Sequence, residues 1–199
     1  MKRRLGPVFC LILLVITSCA RPEAGVSPFE ALAEKYVRQA ELPEGPVLAP
    51  SFEILPDAGL VYGPSTTGLD VGKYIHEDSL LARYQELVDE RPLSGAQIVE
   101  KVARDYSINP RLLLAVLEYR AGWVSGAGQP HSEFPLIDDP DRPGLFRQLS
   151  WLANELNRGF YTRRVGGLER FSSLDGVELI TSPDANDASA ALQYALGRM

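Results

Sequence analysis

Few of the side chains that usually carry enzyme chemistry occur in this 199-residue sequence. Histidine appears only at His76 and His131, and cysteine only at Cys10 and Cys19. Neither histidine lies in an H-E-x-x-H pattern, which would put two imidazoles on one helix face, so no zinc site is expected. A serine triad would have to take its base from one of these two isolated imidazoles. No motif calls for a cofactor. Carboxylates and aromatic rings are what remain. Glu118 stands near the end of an apolar run, and Glu133, Asp138, Asp139 and Asp141 fall in a Gly/Pro-rich stretch after it. Glu118 lies seven residues after Arg111, so the two share a helix face and could form a thin solvated stripe. Trp123, Phe134, Phe146, Trp151, Phe160 and Tyr161 could turn flat faces to sugar rings or fill a core.

The first residues, Met1-Lys2-Arg3-Arg4, are cationic, and an apolar run of about a dozen residues follows from Leu5 to Ile16. That is the length of a signal-peptide core and short of the ~20 residues that span a bilayer. The run closes on Ile16-Thr17-Ser18-Cys19, which resembles the lipobox of bacterial lipoproteins. The resemblance implies cleavage before Cys19, acylation of its thiol (palmitate among the chains) and a membrane-anchored product. Several acyl chains on one residue hold far better than one. Loss of Lys2, Arg3 and Arg4 with residues 1–18 takes the formal charge from -6 to -9. So acidic a chain, without a basic patch, is no candidate for nucleic-acid binding. The exported part would keep no thiol for a disulfide or a nucleophile.

Four regions follow from composition and spacing. Residues 1–18 read as the lipoprotein signal, and 19–41 as the anchor plus a short amphipathic helix from about 28, opened by Ser27-Pro28-Phe29-Glu30. Residues 42–70 hold five prolines and four glycines and read as a spacer or an extended wrap, part of it packed on a surface. Residues 71–199 read as one helical domain. Helices are expected near 76–89, 95–106, 110–121 and 144–158, the last closed by Gly159, with a final one opened by Ser182-Pro183-Asp184. Asp175-Gly176 suits either a small hairpin or a plain loop. The fold class expected is mainly α.

The run Asn109-Pro110-Arg111-Leu112-Leu113-Leu114-Ala115-Val116-Leu117-Glu118-Tyr119-Arg120-Ala121-Gly122-Trp123 resembles the first helix of lysozyme-like domains, the lytic transglycosylases and glucosaminidases. There, a Glu at the helix end is the general acid, its carboxyl pushed up by burial. The resemblance implies a lysozyme-like fold and a glycan substrate. It also carries a departure. With Pro110 and Gly122-Trp123 matched, the family's Glu falls on Arg120, which cannot give up a proton. Glu118 is two residues early, about 200° away around a helix. Residues 60–199 also look like a helical module that precedes sugar-binding LysM repeats or a lysostaphin-type zinc endopeptidase in exported cell-wall proteins. The marks are Val61-Tyr62-Gly63-Pro64-Ser65, Leu93-Ser94-Gly95-Ala96-Gln97, Gly144-Leu145-Phe146-Arg147-Gln148-Leu149-Ser150-Trp151 and Ala188-Ser189-Ala190-Ala191-Leu192-Gln193. With Met199 last, the copy would be a stand-alone or shortened form.

Three functions fit these residues. One is an anchored lipoprotein whose domain holds peptidoglycan or another glycan without cutting it. Another is a glycoside-cleaving enzyme with Glu118 as its acid and Trp123, Trp151 and Tyr161 against the sugars. The third is a partner-binding lipoprotein with no glycan role. The arrangement that separates the first two is whether residue 118 or residue 120 faces an open cleft.

Overall fold

A computed structural model describes residues 45–126 and 132–199. The signal segment, Cys19, the helix expected near 28–41 and His131 lie outside the described residues. In chain order the elements are β1 (Val47–Leu48), α1 (Asp57–Leu60), a 3-10 turn (Val71–Tyr74), α2 (Leu80–Arg83), β2 (Gln85–Val88), β3 (Arg91–Ser94), α3 (Gly95–Asp105), α4 (Pro110–Ala121), α5 (Leu145–Arg164), β4 (Arg170–Ser172), β5 (Glu178–Ile180) and α6 (Asp187–Gly197). Helices form the core, and two small sheets flank it. The architecture is therefore mixed α and β, where the sequence led us to expect a mainly α domain.

The helices with local start signals form where expected. Ser94 caps α3 in a capping box: its hydroxyl accepts from the Gln97 amide, and the Gln97 side chain accepts from the Ser94 amide. Asn109 caps α4, accepting from the Arg111 amide at 3.0 Å, while its own amide group donates to the Gly59 carbonyl. Gly122 ends α4 in the left-handed region at φ 62°, where a glycine is unstrained. Leu113, Leu117, Leu149, Leu152 and Leu156 meet in the core without measurable exposure.

The helix expected at 76–89 is not there. After one turn the chain extends into the β2–β3 hairpin, turned by Asp89 and Glu90 at φ 50° and 63°. Leu87, which helical spacing would put on one apolar face with Leu80 and Tyr84, is 73% exposed. The physical reason lies in α5. An extended strand puts Tyr84 and Glu86 on one face, and both reach the start of that helix. The Glu86 carboxylate accepts from the Phe146 amide at 3.1 Å, and the Tyr84 hydroxyl accepts from the Leu145 amide at 3.1 Å. Gly144 carries no capping side chain, so a strand distant in sequence satisfies the helix's free amides. Burial, with the nearby Glu86 charge adding to it, pushes the Tyr84 phenol up to about 12.

α5 also runs past its expected end. Gly159 lies inside it, because α6 crosses there so closely that a Cβ would sit 2.8 Å from the Ala191 Cα. Asp175-Gly176 does turn a hairpin: β4 and β5 pair antiparallel, and β1 joins β5 in parallel, giving the order β1-β5-β4. From residue 45 the proline- and glycine-rich segment is packed on this core rather than held away as a spacer. Leu60 has no measurable exposure. The Ile54 amide donates to the Ser189 hydroxyl at 2.7 Å, and Asp57 accepts from the Ala188 amide at 2.9 Å in the first turn of α6.

Candidate functional site

Position 118 and position 120 both line cavities, but different ones. Glu118 borders a cavity of about 560 Å³ together with Lys73, Tyr74, His76, Glu77 and Ser125. Its carboxylate accepts from the Val124 amide at 2.9 Å, the Ser125 amide at 3.0 Å and the Ser125 hydroxyl at 2.6 Å. These three donors fasten the turn that leaves α4. Carbonyls of the same turn receive bonds from the Leu81 and His76 amides. The Ser125 hydroxyl and the two amides hold the Glu118 carboxyl below its ordinary range, outweighing partial desolvation. A general acid near neutral pH needs the opposite direction.

Arg120 borders a larger groove, about 1280 Å³ in volume. Its guanidinium donates to the Leu136 carbonyl and, at 2.9 Å, to the Met199 carbonyl oxygen. One side of this groove is α5, the other the loop over residues 137–142. Tyr106, Leu174, Arg198 and Met199 complete the lining. Gln148, wholly buried in α5, shapes the loop. Its side-chain oxygen accepts from the Leu136 and Ile137 amides, and its nitrogen donates to the Ile137 and Arg142 carbonyls.

The three candidate sugar-facing rings separate. Trp151 and Tyr161 line the groove, Trp151 half-buried and Tyr161 exposed. Trp123 does not: it is 1% exposed, with its ring 5.4 Å from that of Tyr84. Trp123 is a core residue here and has no face to give a ligand. Phe146 also lines the groove, beneath the Lys101 ammonium at 5.7 Å. Of the loop acids, Asp138, Asp139 and Asp141 border the groove, and Asp139 pairs with Arg142. Glu133 is outside its lining.

Several groove residues on α5 were not named as site candidates from the sequence, among them Arg147, Asn154 and Arg158. With Trp151 and Tyr161 those three recur at spacings of 4, 3, 4 and 3, a single stripe on the helix. The buried leucines 145, 149, 152 and 156 show the same spacing two residues earlier, about 200° around the helix. A helix with one apolar seam and one aromatic-polar seam carries two repeats out of phase. The second was the available signal. Among the described residues no three His, Cys, Asp or Glu side chains gather as a metal site, and no helix is long and apolar enough to cross a membrane.

Residues 53–199 match the family described as LasA, N-terminal domain. The match covers most of the chain. No curated protein and no solved structure matches it.

Proposed function

The chain belongs to the LasA N-terminal domain family, an exported, cell-wall-associated group linked to LasA-type peptidases, and from that premise we propose an anchored wall-binding role. In this reading Cys19 carries the lipid that holds the protein at the membrane, and the domain binds peptidoglycan in the α5 groove without cleaving it. One observation carries the non-catalytic part. The groove with the aromatic rings has Arg120 on its wall, while Glu118 faces another cavity with both oxygens engaged. A guanidinium can hold a glycan substituent but cannot protonate a glycosidic oxygen.

Co-sedimentation with purified cell walls tests this. The chain should pellet with walls, and Trp151→Ala with Tyr161→Ala should leave it in the supernatant. A wild-type chain that stays wholly in the supernatant overturns the reading. The glycosidase alternative has its own test: muropeptide release from walls that is abolished by Glu118→Gln would replace binding with cleavage. The anchor is tested separately. Cys19→Ser should end incorporation of labelled palmitate and move the protein out of the membrane fraction.

A further inference from the structure

We infer that the α5 groove is specific for a saccharide chain bearing carboxylates, with Trp151 and Tyr161 stacking on its rings and Arg147 and Arg158 receiving its acidic substituents. The inference rests on the wall-binding reading and adds its chemical selectivity. Its basis is the order of side chains along one stripe of α5: Arg147, Trp151, Asn154, Arg158, Tyr161. From the first to the last, fourteen residues apart, the stripe runs about 21 Å at 1.5 Å per residue. A site of that length accommodates several linked rings rather than one sugar. Cation, ring, amide, cation, ring is a repeating pattern and fits a repeating ligand.

The charges are available. Arg147 is exposed, and among the described residues its hydrogen bond is a long one, 3.4 Å, to the Asp141 carbonyl. Arg158 is also exposed: its guanidinium bonds the Tyr194 hydroxyl, which leaves other N–H groups to the groove, and its nearest carboxylate, Glu155, lies 3.9 Å away. Glu155 is itself held at 2.8 Å by Arg198. On the loop side, the Asp139 carboxylate is already paired with Arg142. Five arginine side chains and four Asp or Glu side chains line the groove. A guanidinium offers paired N–H groups that match a carboxylate in geometry as well as charge, so two of them spaced along a helix can read two acidic substituents of one chain. Wall glycan carries such groups on its stem peptides, or on the lactyl ether where no peptide is attached.

Trp151 provides the readout, since Trp123 is buried away from the groove. The purified chain is titrated, following indole fluorescence, with a muropeptide bearing free carboxylates and with the neutral tetramer of N-acetylglucosamine. The carboxylate-bearing ligand should bind more tightly and lose affinity as salt rises. Arg147→Ala with Arg158→Ala should weaken it about tenfold or more while leaving the neutral tetramer unchanged. Equal binding of both ligands, unaffected by the arginine substitutions, overturns the selectivity and leaves the wall-binding reading standing. Binding of neither ligand overturns both. Thermal unfolding of the double variant close to wild type shows that the loss is one of recognition.

Discussion

Glu118 shows how little a residue's type says about its task. A carboxylate near the end of an apolar helix can be a general acid or a clamp, and what distinguishes them is the set of donors around it. Here Val124 and Ser125 supply three, which favour the ionised form. The folded-state carboxyl is therefore depressed relative to the unfolded chain. Its contribution to stability is present above the unfolded value and fades as pH falls through the folded one. Glu118→Gln should lower stability near neutral pH by about 1 kcal/mol, and the gap to wild type should close in acid. Urea unfolding of both proteins at several pH values measures this; a gap that widens in acid refutes the clamp. Gln148 is the second residue of this kind. Four backbone partners converge on its buried amide, so Gln148→Leu should cost about 2–4 kcal/mol and loosen the 137–142 wall of the groove. Amide hydrogen exchange at Leu136 and Ile137 should rise accordingly.

Elements depend on partners far along the chain. The β2–β3 hairpin sits where apolar spacing favours a helix, because Tyr84 and Glu86 together satisfy the first amides of α5. Tyr84→Phe removes the acceptor for Leu145 and the donor to Glu86 while keeping the ring against Trp123. The expected cost is about 1–2 kcal/mol, read by chemical denaturation. Gly159 makes the reciprocal point for α5 and α6. Glycine is a fair sign of a helix end, yet here it permits close crossing of two helices. Gly159→Val would thrust its side chain into the Ala191 backbone and should lower stability by about 1–3 kcal/mol or more, seen as a drop in Tm. An unchanged Tm would refute the close crossing.

At the scale of the whole molecule, one helix serves two surfaces. The leucine seam of α5 closes the core, and the opposite seam forms a groove that the 137–142 loop turns into a site. Much of this was legible beforehand. Ser94 with Gln97, Asn109 with Pro110, and Gly122 carry their capping instructions within a few residues, so α3 and α4 are predictable from the sequence. The wall-module likeness rested on local motifs spread from Val61 to Gln193, and the family match covers that ground. The hairpin at 85–94 was not legible, and neither were the partners against which the 45–62 segment packs and Trp123 is buried. Each depends on a partner distant in sequence: Leu145 and Phe146 for the hairpin, Ser189 for Ile54, and Tyr84 for Trp123. The site follows the same division. Sequence alone determined that cysteines and histidines are few, and, through helix periodicity, that positions 118 and 120 point apart. Only the tertiary structure decided which of those directions opens on the aromatic groove, because a cleft is made by the elements that surround a helix and not by the helix itself.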